Sequence, residues 1–166
     1  MNHKISIFDN FFTPRELKEY TDEMNNLTWV FGARSKSGEG YKFWSSKLES
    51  KSIIDTSLKR IHKNINYTKT FSLLRVHANG QTYGQDGNFH TDDHRSDCYT
   101  LLIYMSDTDG YTQFKIDDQV VNIEPLKNRA ILFKSNILHR GLAPSRDSSI
   151  LRISIAFKMQ IKGKNL

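Results

Sequence analysis

From residue 70 onward the chain is a succession of short β-branched and apolar runs, "FSLLRVH", "YTLLIYM", "TQFKI", "QVVNI", "AILF" and "ILRISIAF". Between them stand "ANG", "SDTDG", "KIDDQ", "KNR" and "APSRD", clusters of Gly, Pro, Asn and Asp that supply turns. Runs of this length bounded by turn chemistry read as strands. Many short strands can bury their apolar faces only by closing into a sandwich, a jelly roll or a barrel.

The first part of the chain is different. "ISIF" is strand-like, and Thr13, Pro14 and Glu16 then form a helix start with an N-cap, a proline at the first helical position and a capping box. Leu17, Tyr20 and Met24 follow at helical spacing, and Ile54, Leu58, Ile61 and Ile65 mark one face of a second helix. His62 lies beside that stripe as a packing or surface residue. Between the helices, "VFGARSKSGEGYKFWSSKL" is rich in Gly, Ser and aromatics. It suits either a mobile loop closing over a substrate, across residues 30–49, or a plain connection with Phe43 and Trp44 in the core. The expected class is therefore mainly β with flanking N-terminal helices packed outside the sheet. A chain of 166 residues, 37% hydrophobic, fills one domain, with 1–69 as helical support and 70–158 as the β core.

A single cysteine, Cys98, excludes an intramolecular disulfide. "MNHKISIFDNFF" has no apolar run of signal-peptide or membrane-span length, so a cytoplasmic protein without a membrane partner is expected. The sequons at Asn26 and Asn66 then carry no meaning. The net charge of +6 is scattered apart from the weak tail "KMQIKGKNL", which suits a solvated basic surface better than a nucleic-acid patch. Nothing in the sequence specifies an oligomeric state.

The densest chemistry is "NFHTDDH", residues 88–94. On a helix His90 and His94 would share a face like a zinc-hydrolase pair, but Thr91 stands where that motif needs its glutamate, and the flanks are turn-rich and strand-like. In an extended segment His90 and Asp92 point the same way. His139, in "SNILHRGLAP", can complete a set of two histidines and one carboxylate, the facial triad of non-haem Fe(II) oxygenases. His-x-Asp alone is weak. "ILRISIAFK" adds the coincidence, because alternation puts Ile150, Arg152, Ser154 and Ala156 on one face. A guanidinium inside an apolar strand needs a carboxylate, either from the protein or from a ligand, and Ser154 can donate to the same group.

In the order His90-x-Asp92, His139, Arg152-x-Ser154, the sequence resembles the Fe(II)/2-oxoglutarate-dependent oxygenases, and within them the prolyl-hydroxylase-like branch. "CYTLLIYMSDTDGYTQF" is similar to the family's stretch ending in a Gly-Gly-Glu-Thr-x-Phe turn, with Thr100, Tyr104, Gly110, Thr112 and Phe114 in place. "PLKNRAILFKSNILHRGLAP" resembles the approach to the distal histidine through Pro125, Leu132 and Phe133. The resemblance implies a double-stranded β-helix, a distorted, cupin-like jelly roll. It implies iron held by His90, Asp92 and His139, and 2-oxoglutarate held through its far carboxylate by Arg152, with O₂ as the second cosubstrate. Tyr104, Thr112 and Ser154 match places that contact that carboxylate or pack in the core. His77 stands where many prolyl hydroxylases have a tyrosine, as polar lining or a fourth ligand, unless Tyr83 reaches in instead. "GYTQF" departs from the collagen-type turn.

The implied activity is hydroxylation of an unactivated C–H bond, first of a prolyl residue in a protein or peptide and second of a free amino acid or other small metabolite. An AlkB-type nucleic-acid demethylase draws on net charge and on the spacing from Arg152 to Lys158, but leaves little chain for a nucleotide-recognition lid. A non-catalytic jelly-roll binding module is the remaining reading, at odds with an intact triad and Arg152.

Overall fold

The computed structural model describes residues 5–35, 38–64 and 70–162. The helix position expected at Ile65 and the end of the basic tail lie outside them. In chain order the elements are β1 (Ile5–Phe8), α1 (Pro14–Asn25), β2 (Val30–Ala33), β3 (Phe43–Lys47), α2 (Lys51–Asn64), β4 (Thr70–Gln81), β5 (Cys98–Tyr104), β6 (Thr112–Ile116), β7 (Gln119–Ile123), β8 (Ala130–Lys134), β9 (His139–Gly141) and β10 (Arg152–Lys162). Seven strands form a major sheet in the order β1-β8-β5-β10-β4-β3-β2, and three form a minor sheet, β7-β6-β9. All the pairings are antiparallel. Two such sheets facing each other make the double-stranded β-helix.

Alternation divides the major sheet's residues between two environments. Leu101, Ile103, Ile155, Phe157 and Met159 pack with Tyr20, Met24, Ile53 and Ile61 of the two helices. On the other side Tyr104, Ile131 and Phe133 join Phe114 and Ile123 of the minor sheet in a smaller core. Fully burying one such side chain stabilises by about 1.5–3 kcal/mol, so the helices are held by packing more than by propensity. The capping box at Thr13 and Glu16 forms as expected. Glu16 also pairs with Arg60 of α2, and the Tyr20 hydroxyl donates to Thr56 at 3.1 Å, tying the helices together. His62 stacks on Phe71 and accepts its backbone N–H, which makes it a packing residue.

Two local expectations are corrected. The stretch between the helices is not only a loop, because β2 and β3 lie in it and extend the major sheet beyond β4. Phe43 is buried there, while Phe31 and Val30 on the edge strand are exposed. "ANG" is not a turn either: β4 runs through it to Gln81. Gly80 is there for close approach, since a Cβ would lie 3.1 Å from the Trp29 ring and 3.2 Å from Leu151.

Asn128 clasps the N-terminal segment to the sheet. Its side chain accepts from Phe12 N–H at 2.7 Å and donates to the Phe12 carbonyl at 3.0 Å, from a left-handed φ of 70° that asparagine tolerates. Asn128→Ala should destabilise the fold by about 2–4 kcal/mol, from two unsatisfied buried backbone groups and the positive φ. Urea unfolding at constant m would measure it; a loss below about 1 kcal/mol would mean that water replaces the clasp.

Candidate metal and cosubstrate site

Residues 87–93 are hooked by their backbone to the strand opposite. Gly87 N–H donates to the Gly141 carbonyl at 2.8 Å, His90 and His139 exchange both backbone hydrogen bonds at 3.0 Å, and Asp92 N–H reaches Ser135 O at 2.9 Å. The segment is extended at His90 and bends at Asp92, so the helical arrangement does not occur. His94 is exposed and faces Thr91. His90 continues the minor sheet past β9, which brings its side chain directly beside that of His139.

The ligating atoms of His90, Asp92 and His139 all lie within 4.8 Å of one another. His90 Nδ1 sits 2.9 Å from the Asn88 carbonyl and His139 Nδ1 2.9 Å from the Ile137 carbonyl. A carbonyl can only accept, so each Nδ1 carries a proton; each Nε2, 3.5 and 3.6 Å from the two Asp92 oxygens, faces Asp92 with a second proton when the imidazole is charged and offers a lone pair to a metal when it is neutral. Phe114 stacks on the His139 ring and Phe133 meets it edge-on, fixing its plane. Burial raises the Asp92 carboxyl, but the hydrogen bond to His90, the charge of His139 and the Thr100 hydroxyl together hold it well below the usual carboxylate range. Burial pulls the His139 pKa down, while at His90 the contacts to Asp92 and Asn88 outweigh burial and raise it. Two imidazole nitrogens with fixed tautomers and an ionised carboxylate fit a divalent transition metal such as Fe(II).

Thr100 Oγ1 donates to Asp92 Oδ2 at 2.6 Å and lies 2.9 Å from Ser135 Oγ, so it sets the carboxylate's rotation. Thr100→Val should weaken Mn(II) or Fe(II) binding by about 10–100-fold in anaerobic calorimetry. Unchanged affinity would remove Thr100 from the site.

At the far end of the same pocket Arg152 is 2% exposed. Its Nε donates to Gly110 O at 2.7 Å, Nη1 to Gln81 Oε1 at 2.8 Å and Nη2 to Thr112 Oγ1 at 2.8 Å. Tyr104 donates to the same threonine oxygen at 2.6 Å, and its ring lies 5.6 Å from the guanidinium. Every partner is neutral. The intramolecular salt bridge expected of a buried arginine is absent among the described residues, and burial correspondingly pulls the Arg152 pKa down from its usual value. A buried cation with neutral acceptors and no counter-ion, facing a cavity of about 890 Å³, fits the terminal carboxylate of a dicarboxylate. Gly141 keeps this corner open, since a Cβ there would lie 2.9 Å from Gln81 Oε1 and 3.2 Å from Arg152 Nη1.

Between these ends the pocket floor is a ladder of cross-strand rungs. Ser45, Asn79, Ser154 and Tyr104 form one, Lys47, His77, Ala156 and Leu102 the next, and Arg75, Lys158 and Thr100 a third. Ser154 therefore faces the cavity, two positions from Arg152. His77 also lines it but stands apart from the three-ligand cluster. Its Nδ1 has no partner, and burial followed by the charge of Arg75 lowers its pKa to about 4, so it is a neutral polar wall. Tyr83 does not reach in: it is 62% exposed in the turn after β4. Lys158 is already engaged, donating to Asp93 at 3.1 Å and to the Asp92 carbonyl at 3.3 Å, and so steadies the Asp92 backbone. Gln81, Asn79 and Arg75 were missed from sequence; reading β4's alternation onward from His77 would have found Asn79 and Gln81.

No protein-family model matches this sequence, and no curated protein does. Solved structures match along nearly its whole length. An oxidoreductase of the 2OG-Fe(II) oxygenase family from Burkholderia pseudomallei superposes with a TM-score of 0.79 at 10% identity, over 96% of this chain and 86% of that one. The fold is that of the 2-oxoglutarate and Fe(II) oxygenases. A prolyl hydroxylase from Trichoplax adhaerens, in complex with a hypoxia inducible factor peptide fragment, superposes at 0.69 with 16% identity, over 96% and 84% of the two chains. HygX from Streptomyces hygroscopicus, with nickel, 2-oxoglutarate and hygromycin B bound, superposes at 0.69 with 11% identity, over 95% and 82%. No described helix is long and apolar enough to cross a membrane.

Proposed function

We propose that this chain is an Fe(II)- and 2-oxoglutarate-dependent dioxygenase that hydroxylates an unactivated C–H bond of a prolyl residue in a protein or peptide. The observation that carries the proposal is the buried Arg152, without a counter-ion among the described residues, in the pocket that also holds the His90, Asp92 and His139 cluster. In this reading the three side chains hold the metal and Arg152 holds the far carboxylate of 2-oxoglutarate, with Tyr104 and Thr112 orienting the guanidinium. Bound there, the metal and its cosubstrates supply the oxidising power for the C–H bond, with 2-oxoglutarate leaving as succinate and CO₂. The protein's own contribution is placement: Asp92 turned by Thr100, His139 clamped between two phenylalanines, and Arg152 fixed on three sides. His77, Asn79 and Ser154 are polar surfaces against which a cosubstrate can lie.

A peptide target is favoured by the edge strand β2, whose Ala33 and the following Arg34 line the pocket while its Val30 and Phe31 offer exposed apolar surface. Hydroxylation of a free amino acid or another small metabolite is the second reading, and the likeness to HygX with its bound hygromycin B supports it. Nucleic acid is the weaker partner, because Lys158 is engaged with Asp93 rather than free for a nucleotide. A cytoplasmic location remains the natural setting for this reading.

The test is succinate formation from 2-oxoglutarate by anaerobically iron-loaded protein exposed to O₂, without and with a pool of proline-containing peptides. Stimulation by peptides, abolished in His139→Ala, is the expected result. Turnover indifferent to peptides would move the assignment to a small molecule, and no turnover with both metal and 2-oxoglutarate bound would leave a binding module.

A further inference from the structure

The ionisable groups on the pocket wall are unbalanced. Among the described residues Arg34, Lys47, Arg75, Lys158 and Arg152 are cationic, and Asp92 is the one carboxylate. Lys47 is paired with Glu49 at 2.6 Å and Lys158 with Asp93 at 3.1 Å. If the proposed function holds, Arg152 takes one carboxylate of 2-oxoglutarate, while Asp92 and the other carboxylate offset the dication. Arg34 and Arg75 are left over, and neither makes a hydrogen bond or ion pair among the described residues.

An exposed arginine without a partner is usually just solvated. Arg75 differs in its position. It shares a rung with Lys158 and Thr100, two strand spacings, about 10 Å, from the threonine that holds Asp92. It lines the same cavity as His77 and His90, and next to burial its charge is what lowers the His77 pKa. It is also six residues back along β4 from Gln81, the partner of Arg152, with His77 and Asn79 between. A cosubstrate anchored at Arg152 therefore leaves Arg75 to whatever enters over the metal cluster. The guanidinium fork is shaped for a carboxylate.

We propose that the substrate carries a carboxylate close to the carbon that reacts, and that Arg75 receives it. The carboxylate can come from an acidic residue beside the target proline of a peptide or from the α-carboxylate of a free amino acid. Substrates lacking it are discriminated against because Arg75 then meets nothing, while an amine or lysine in its place is repelled.

The experiment is calorimetric binding to protein loaded with Zn(II) and 2-oxoglutarate, a readout independent of turnover. The probes are proline-centred peptides with Glu, Gln or Lys beside the proline, and free L-proline against L-prolinamide. The Glu peptide should bind roughly tenfold more tightly than its Gln counterpart. Arg75→Gln should erase that gap, Arg75→Lys should keep part of it, and Arg75→Glu should shift the preference toward the Lys peptide. Equal binding of Glu and Gln peptides to the wild type, or a gap that survives Arg75→Gln, would overturn the inference while leaving the peptidyl reading intact. An Arg75-dependent preference for L-proline over L-prolinamide, with no peptide bound, would support the inference and overturn the peptidyl reading. Binding of none of these probes counts against both.

Discussion

Arg152→Met is expected to lower the affinity for 2-oxoglutarate by at least about a hundredfold while changing the stability of the ligand-free fold by less than about 2 kcal/mol. The first half follows from charge-assisted hydrogen bonds, each worth about 1.5–3 kcal/mol, of which a guanidinium makes two to a carboxylate; together they correspond to roughly 10²–10⁴ in affinity. The second half is a balance. Methionine removes a fully buried cation whose desolvation is several kcal/mol unfavourable and which no carboxylate among the described residues offsets. It also strands the Gly110 carbonyl and Gln81 Oε1, each at about 1–3 kcal/mol, whereas Thr112 keeps its bond from Tyr104. These terms oppose each other and are of similar size. Arg152→Lys keeps the charge but not the fork and should fall between, near tenfold. Calorimetry with 2-oxoglutarate on Zn(II)-loaded protein and urea unfolding of the metal-free variants measure the two halves separately. If Arg152→Met unfolds the chain, the arginine is a structural element and the assignment of the pocket end fails; if affinity is unchanged, the cosubstrate lies elsewhere.

The strands that build this pocket were legible because their chemistry is local. Period-two alternation in "YTLLIYM" and "ILRISIAF" places Thr100, Leu102 and Tyr104 on one side and Leu101 and Ile103 on the other, and the observed division between the two cores is the same. Arg152 was conspicuous for a related reason: a charge inside a periodic apolar run needs a partner, either a carboxylate of the protein or a ligand. His90, Asp92 and His139 were legible as a set only through their residue types and order. Nothing local in "SNILHRG" signals that a three-residue strand aligns His139 with His90 across the minor sheet.

What escaped the sequence did so through misleading local signals. "ANG" carries turn composition, yet Gly80 serves a close packing of Trp29 and Leu151 against β4, and stopping the strand at His77 hid Asn79 and Gln81 beyond it. The glycine- and serine-rich composition between the helices concealed β2 and β3, whose pairing depends on a neighbour far along the chain. Lys158 looked like half of a nucleotide-binding spacing because its real partners, Asp93 and the Asp92 carbonyl, are contributed by a segment more than sixty residues earlier. Arg75 was invisible as a site residue for the simplest reason, since a lone arginine in a strand-like run carries no signal until the sheet shows which way it faces.

Asp92→Ala is expected to abolish metal-induced stabilisation. At a metal concentration of one hundred times the dissociation constant, binding to the folded state alone adds about 2.7 kcal/mol, roughly 5–10 °C in Tm for a chain of this size. Removing an outer partner such as Thr100 lowers metal affinity by about 10–100-fold, and removing the ligand itself should exceed that, so at the same metal concentration the Tm shift should vanish. The metal-free protein responds differently. Asp92's pKa is depressed in the folded state, so its carboxylate contributes stability that is present above the unfolded-state value near 3.9 and is lost as pH falls through the lower folded value. At neutral pH the alanine variant therefore loses the hydrogen bond from Thr100 and the contacts to His90 and His139, and should be moderately less stable without metal. Below about pH 3 that deficit should shrink, because the wild type begins to lose the same interactions. Differential scanning with and without Mn(II) at neutral pH, together with metal-free melts at decreasing pH, separates the two effects. A variant that kept the metal-dependent rise would place the ion somewhere other than beside His90 and His139, whereas one that lost it and retained most of its metal-free stability would make Asp92 a ligand first and a structural residue second.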